Sequence, residues 1–302
     1  MNINSLNHKS TLIGVILILI GYFLFSLNDA LSKVLLQTFT LGQLLFFRSI
    51  GSAIILAPII AYEGKTGFFS LKPMWAHVSR LFCATLDTIC FYIAVMFLPL
   101  TDVLTFYMAG PIYVTIISHF FLNELMGWRR WVAILIGFIG VIITLNPTGA
   151  NFSYYSIFAL ISGLSFALLI VLNRILQTSR DSVMVSWQNI VALVIGAILC
   201  LFSWTPLNTT GVIYILIFGT IACSGHILIS KSLKYIPATL AAPMQYTILI
   251  WAILFDYLFF HHQVEAHVIL GAAIIISSNL FLIYRRKKVT NKIDKSISQP
   301  GL

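Results

Sequence analysis

The stretch LPLTDVLTFYMAGPIYVTIISHFFLNELMGWRRWVAILIGFIGVIITLNP (98–147) decides the fold. It predicts one apolar helix, a short polar turn and a second apolar helix. A fainter copy, IPATLAAPMQYTILIWAILFDYLFFHHQVEAHVILGAAIIISSNLFLIY, occupies residues 236–284. Each copy has a proline early in its first helix, Pro111 or Pro243, and a glycine in its closing helix. The recurrence predicts a chain that is assembled from internal repeats.

The composition places the chain in a membrane. Of the 302 residues, 59% are hydrophobic and only 9% are charged, whereas roughly a quarter of the residues of soluble proteins are charged. Several apolar runs reach the length of about 20 residues that is needed to cross a bilayer. We therefore predict an all-α polytopic membrane protein whose surroundings are the lipid bilayer.

Hydropathy and helix breakers divide the chain into ten predicted spans. They lie near 12–33, 41–61, 77–97, 102–121, 131–146, 154–174, 183–203, 211–230, 238–259 and 266–284. The spans form two sets of five, and the sixth span enters the membrane from the side opposite to the first. We therefore predict ten transmembrane helices as two inverted five-helix repeats, 12–146 and 147–284. They are flanked by an N-terminal segment, 1–11, and a basic tail, 285–302.

The basic residues predict the orientation of the chain. If the N-terminus is cytoplasmic, all of the 18 Lys and Arg residues except Lys33 and Arg48 fall in inner segments or in the tail. By the positive-inside rule both termini are then cytoplasmic. The formal net charge of +9 is explained by this topology, so we expect no nucleic-acid partner.

Charged residues inside the predicted spans are the first candidates for a binding site. Each costs about 2.5 to 3.5 kcal/mol by insertion scales, so it needs a partner or a function. Asp29 and Arg48 reach similar depths on consecutive spans, and we predict that they pair or that both line a cavity. A structural ion pair and a role in binding substrate or a coupling proton both stay open.

Asp87 lies in the middle of the third span and has no partner close in the sequence. A carboxylate at this depth can take up a proton during transport or attract a cationic substrate. The alternative is a buried acid that accepts a hydrogen bond from Thr or Ser of a neighbouring helix. The sequence alone leaves both possibilities open.

Amide and aromatic side chains complete the candidate set. Amides in a span favour cavity lining, because lipid offers them no hydrogen-bond partner. Aromatic faces can hold a sulfonium or ammonium ligand by cation–π attraction, although such rings commonly serve packing. The candidates of these two kinds are Tyr107, Trp187, Gln188, Asn189, Gln245 and Tyr246.

Other features receive a structural interpretation. His119 and His226 have no ligand partners at metal spacing, so we interpret them as core or helix-end residues and predict no metal site and no cofactor. Gly137, Gly140 and Gly271 are predicted to permit close helix contacts. Pro111 and Pro243 are each predicted to free a backbone carbonyl inside a span, as a kink, a hinge or a ligand contact.

Three segments carry a resemblance to a known family. They are LNELMGWRRWVAILIGFIGVIITLNP (122–147), NDALSK (28–33) with FFRS (46–49), and GAAIIISSNLFLIYRRKK (271–288). Their combination and order resemble the drug/metabolite transporter superfamily, EamA type, and within it the bacterial branch of S-adenosylmethionine uptake and riboflavin carriers. The chain departs from both carrier groups at Gln245, where they have an arginine before the tyrosine.

The resemblance implies an inner-membrane secondary transporter that moves a small organic metabolite by alternating access. Uptake of S-adenosylmethionine is the leading expectation, and uptake of riboflavin or another vitamin, or efflux of amino acids or drugs, are the alternatives. A membrane-embedded transferase belongs to another class and would show clustered acids, His or Cys at catalytic spacing. The acids here are scattered, so we expect no enzymatic activity. The direction of transport and the oligomeric state stay open.

Overall fold

All regular structure in the described part of the chain is helical. The computed structural model describes residues 8–64, 68–69, 71–98, 103–104, 107–122, 127–145, 154–260, 266–267, 269–278 and 281. The helices are α1 (His8–Leu35), α2 (Leu41–Glu63), α3 (Met74–Phe97), α4 (Gly110–Leu122), α5 (Trp128–Leu145), α6 (Ser156–Ile175), α7 (Asp181–Cys200), α8 (Thr209–Tyr235), α9 (Ala238–Met244), α10 (Thr247–Phe260) and α11 (Ile269–Ser278).

The lengths and surfaces of the helices are those of a membrane protein. Within the described ranges, six helices (α1, α2, α3, α6, α7 and α8) are long and apolar enough to cross a bilayer. On α1 the exposed side chains include Leu12, Ile13, Ile16 and Ile20. A contiguous apolar surface of this kind needs a cover, and lipid provides it. The chain is therefore a multi-pass membrane protein, as the composition predicts.

The helix contacts repeat across the chain. Helix α1 packs along α8, α3 packs along α6, and α2 packs along α7. In addition, α4 contacts α6 and α10 contacts α1. If α1 is equated with α6, α2 with α7 and α3 with α8, the first pair maps onto the second and the third maps onto itself. The packing is thus that of two related halves.

The same turn occurs in both halves. The sequence Leu-Gln-Thr follows α1 at 36–38 and follows α6 at 176–178. In each turn the leucine N–H donates a hydrogen bond of 2.9 Å to the carbonyl four residues earlier. Both turns also begin the same number of residues before the next helix. The shared turn therefore shows which residue of one half corresponds to which residue of the other.

Glycines bring α2 and α8 into backbone contact. A Cβ atom at Gly51 would lie 2.1 Å from the carbonyl oxygen of Leu216, and one at Gly219 would lie 2.0 Å from that of Arg48. The hydroxyl of Ser52 donates to the carbonyl of Gly219 at 2.9 Å. Small residues at such contacts let helices in membranes pack closely, so this contact joins the two halves.

The glycines that the sequence singles out lie at helix contacts. A Cβ atom at Gly140 in α5 would lie 3.1 Å from the carbonyl oxygen of Gly271 in α11. A Cβ atom at Gly137 would lie 2.7 Å from the ring of Tyr246. These positions therefore exclude larger side chains, as the sequence predicts.

Two predicted spans are interrupted within the described residues. The span 102–121 has a turn at Met108 and Ala109, after which α4 begins at Gly110, and the span 238–259 is divided into α9 and α10, close to the kink or hinge expected at Pro243. At the second break the N–H of Gln245 donates to Ala242 and that of Tyr246 donates to Pro243, both three residues back. The physical cause is Pro243, since a proline inside a helix removes one N–H and collides with the preceding turn. Pro111 follows the turn at Met108 and Ala109 and lies in the first turn of α4, where a missing N–H costs nothing.

Some predictions fall on parts of the chain that the structure does not describe. The tail 285–302, the turn 123–126 and most of the segment 1–11 lie outside the described residues.

Candidate substrate cavity

A cavity of about 460 Å³, including the space through which it opens, lies between α1, α2, α3, α8, α10 and the segment before α4. Its charged lining residues are Asp29, Arg48 and Asp87. Its aromatic lining residues are Phe25, Phe91, Tyr92 and Tyr107. We call this space the charged part.

A second space of about 500 Å³ lies between α2, α3, α7 and α8. Gln188 and Asn189 line it, and we call it the amide part. Arg48, Thr88 and His226 line both spaces. The two spaces are therefore adjoining parts of one central cleft, to which both halves of the chain contribute.

Asp87 both lines the cleft and has a partner in the protein. The hydroxyl of Ser162 in α6 donates a hydrogen bond of 2.7 Å to its Oδ1 atom. Only 8% of the residue is exposed. Asp87 thus accepts the hydrogen bond that the structural interpretation expects, and it also faces the cavity that the functional interpretation expects.

Arg48 is held by aromatic residues and not by an acid. Its Nη1 atom donates to the Tyr92 hydroxyl at 3.1 Å, and its guanidinium lies 5.6 Å from the centre of the Phe218 ring. Within the described residues it forms no ion pair with Asp29 at the limit of 4.0 Å. Of the two arrangements expected for these residues, the structure has the shared cavity and lacks the ion pair.

The Asp29 carboxylate faces the charged part without a hydrogen-bond donor among the described residues. The hydroxyl of Ser32 donates to the backbone carbonyl of Asp29 at 2.8 Å and leaves the carboxylate untouched. The neighbouring amide of Asn28 donates to the carbonyl of Phe218 at 3.3 Å. Asp29 still interacts electrostatically with Asp87 and Arg48.

Three more predicted residues reach the cleft. The ring of Tyr107 lies 5.4 Å from that of Phe91 and lines the charged part. The side-chain amide of Asn189 donates to the carbonyl of Ser49 at 2.8 Å. The Nε2 atom of Gln188 lies 3.3 Å from a ring nitrogen of His226, and its Oε1 atom has no hydrogen-bond partner in the described part of the chain.

The structure places the other three predicted residues at helix contacts. The indole of Trp187 donates to the carbonyl of Phe68 at 3.0 Å, beyond the end of α2. The Tyr246 hydroxyl lies 3.4 Å from the carbonyl of Ile134 in α5. Gln245 is fully buried, and neither polar atom of its amide has a hydrogen-bond partner among the residues that the structure describes. None of the three lines either part of the described cleft.

Sequence reasoning misses Phe25, Phe91 and Tyr92, which line the charged part, and it also misses His226. His226 lines both parts of the cleft, and the centre of its ring lies 4.8 Å from that of Phe25. The signal was available, because a polar side chain in the middle of an apolar span lacks a partner in lipid as much as an amide does. The interpretation as a core residue neglects this argument.

Comparisons with known proteins identify a family and relatives of the chain. The model of the EamA-like transporter family matches residues 12–146 and 153–284. The S-adenosylmethionine uptake transporter of Rickettsia bellii is 28% identical over 279 residues, which cover 90% of the chain and 96% of that protein. The protein of the same description from Rickettsia felis is 29% identical over 287 residues, which cover 92% and 96%.

A solved crystal structure shares the fold. It superposes with a TM-score of 0.73 at 13% identity, over 92% of this chain and 98% of the other. At so low an identity the likeness concerns the fold alone. The matching fold supports the helix arrangement in which the cleft lies.

Proposed function

The chain belongs to the EamA-like transporter family, and from this premise we propose that it takes up S-adenosylmethionine, or a closely related cationic metabolite, by alternating access. The observation that carries the proposal is the charge balance of the cleft. Two carboxylates, Asp29 and Asp87, face one guanidinium, that of Arg48. S-adenosylmethionine carries a sulfonium, an ammonium and a carboxylate, so its charges complement this set.

The aromatic lining supports the same class of substrate. Aromatic faces attract weakly hydrated cations such as a sulfonium, and they also stack on a purine ring. Riboflavin offers planar rings but no cation to offset two acids in a low-dielectric space. The charged part therefore favours S-adenosylmethionine over riboflavin, which stays the alternative substrate for the test.

The proposed architecture has ten membrane-crossing segments in two inverted repeats, 12–146 and 147–284, of which α9 and α10 together form the ninth and α11 belongs to the tenth. The exchange of helix contacts between the halves and the shared Leu-Gln-Thr turn support it. The distribution of Lys and Arg supports an inner-membrane location with both termini cytoplasmic.

The proposed transport cycle uses the difference between two related helix contacts. Helices α2 and α8 touch through Gly51 and Gly219, whereas the corresponding helices α7 and α3 meet where Arg80 donates to the carbonyl of Met184 and elsewhere line the amide part of the cleft. In an inverted repeat the opposite state exchanges these roles. The α3–α7 side would then close and the α2–α8 side would open.

Uptake by reconstituted protein tests the proposal. Proteoliposomes that hold the full chain should accumulate labelled S-adenosylmethionine in a saturable manner that unlabelled compound competes away. Uptake measured with and without an imposed proton gradient reports whether a proton is coupled. Liposomes with Trp187→Phe serve as the variant control, because Trp187 lies away from the cleft. Saturable uptake of riboflavin with none of S-adenosylmethionine would overturn the substrate and leave the carrier standing.

A further inference from the structure

Two opposite charges face the same cavity and do not pair. Asp29 and Arg48 both line the charged part, and the distance between their charged atoms exceeds the 4.0 Å limit of an ion pair. In a space of low dielectric their attraction is strong. Their separation therefore needs both a structural cause and something to occupy the gap.

The structural cause is the anchoring of Arg48. The Tyr92 hydroxyl accepts its Nη1 hydrogen bond, and the Phe218 ring lies beneath its guanidinium. These contacts come from α3 and α8, whereas Asp29 lies on α1. The guanidinium is thus fixed from two sides, and its remaining nitrogen atoms have no hydrogen-bond partner among the described residues. Arg48 keeps donors free, and Asp29 keeps both carboxylate oxygens free.

We propose that Asp29 and Arg48 bind the zwitterionic α-amino-acid end of the substrate, the ammonium at Asp29 and the carboxylate at Arg48. The proposal rests on the proposed function and assigns each charge of the ligand to a side chain. An arginine presents its donors in a planar fork that matches a carboxylate. An ammonium needs acceptor oxygens, and Asp29 offers carboxylate oxygens that accept no hydrogen bond from any described residue.

In this arrangement Asp87 supplies the negative charge for the sulfonium. A sulfonium has no N–H or O–H bond, so it needs negative charge and aromatic surface but no acceptor atom. Asp87 supplies charge while Ser162 keeps its hydrogen bond to the carboxylate. The rings of Phe91 and Tyr107 line the same space. Each of the three ligand charges is therefore matched by a side chain of opposite charge.

A cycle of protein variants against ligand variants tests the assignment. The purified full chain is titrated calorimetrically with S-adenosylmethionine and with its decarboxylated derivative, which lacks only the carboxylate. Arg48→Gln should weaken binding of the first about 10- to 100-fold, the loss of one charge-assisted hydrogen bond. It should leave binding of the second within about twofold. Asp29→Asn should weaken both.

Asp87→Asn is the matched control, because it makes the same chemical change at the other acid. It should weaken both of these ligands equally and should spare S-adenosylhomocysteine, which lacks the sulfonium charge. Size-exclusion chromatography and a thermal transition verify that each variant is folded. Equal weakening of both ligands by Arg48→Gln would overturn the assignment.

The outcome also separates this inference from the proposed function. If the unaltered protein binds no S-adenosylmethionine, the substrate proposal fails. The same cycle is then run with methionine and with 3-methylthiopropylamine, its decarboxylated counterpart. An Arg48→Gln effect confined to methionine would support the zwitterion site on its own. If the unaltered protein binds no α-amino acid either, the inference falls as well.

Discussion

The two halves of the chain share a packing pattern but place different chemistry in the central cleft. The first half contributes charged side chains to the lining, and the second half contributes amides and an imidazole. The charged residues are Asp29, Arg48 and Asp87. The residues from the second half are Gln188, Asn189 and His226.

The second half contains an ion pair, and this pair lies at the ends of its helices. Asp181, at the start of α7, lies 2.9 Å from Lys234 in the last turn of α8. Charged side chains inside a bilayer cost free energy. A half that keeps its charges at the helix ends avoids most of this cost. The difference teaches that packing is shared between the halves, whereas the charges that line the charged part come from the first half.

The largest effect is expected at the shared packing. Gly219→Ala places a Cβ atom against the backbone of α2, 2.0 Å from the Arg48 carbonyl oxygen. The clash should destabilise the protein by about 1 to 3 kcal/mol or more, although alanine favours a helix over glycine by about 1 kcal/mol. A thermal transition in detergent measures it. Gly127→Ala is the control, since within the described ranges no atom is found within 4 Å of a Cβ atom placed there. A more stable Gly219→Ala protein would contradict the backbone contact.

The next largest effect is expected when the guanidinium is removed from the first half or moved to the second. By the Leu-Gln-Thr register Arg48 corresponds to Gln188, so Arg48→Gln combined with Gln188→Arg moves the guanidinium to the second half. We expect the initial rate of S-adenosylmethionine uptake to fall at least about 10-fold in Arg48→Gln, the loss of one charge-assisted hydrogen bond. The double variant should not recover, because an arginine at 188 lacks Tyr92 and Phe218 as anchors. Recovery would mean that the halves are interchangeable.

The sequence predicts the class of fold and part of the cleft. Length, apolar runs and the position of charges suffice for the helices, because a bilayer admits few alternatives. Depth along a span brings Asp29 and Arg48 to similar levels, and it places Asp87 in the middle of the third span. The break at Gln245 is not predicted, since Pro243 indicates a kink without telling whether the helix resumes at once.

Rotation about the helix axes is what the sequence does not reveal. In a lipid environment both faces of a helix are apolar, so periodicity does not tell which side faces a cavity. Trp187 and Gln188 are neighbours, yet one meets Phe68 and the other lines the amide part. His226 is overlooked although its polarity inside an apolar span is a signal in the sequence. The engagement of Arg48 by an aromatic hydroxyl depends on a contact between distant residues.

A smaller effect is expected when the second half loses the hydroxyl of Ser162. Ser162 belongs to that half and serves an acid of the first, since it donates to Asp87 at 2.7 Å. Ser162→Ala removes this donor, and we expect the apparent affinity for S-adenosylmethionine to fall about 3- to 10-fold, at the scale of one hydrogen bond. Ser165→Ala on the same helix controls for the loss of a buried hydroxyl. Equal affinities in the Ser162→Ala and unaltered proteins would show that Asp87 needs no support.

The smallest effect is expected at the ion pair of the second half. The side chains of Lys234 and Asp181 are 28% and 14% exposed, and pairs that solvent reaches contribute about 0 to 1 kcal/mol. Asp181→Asn should therefore lower the thermal midpoint slightly and leave the KM for uptake unchanged. Lys234→Met and the double variant complete a cycle that isolates the pair from the hydrogen bond of Lys234 to the Ser179 carbonyl. A changed KM would place charges of the second half on the substrate's path, and the division between a charged half and a neutral half of the cleft would then fail.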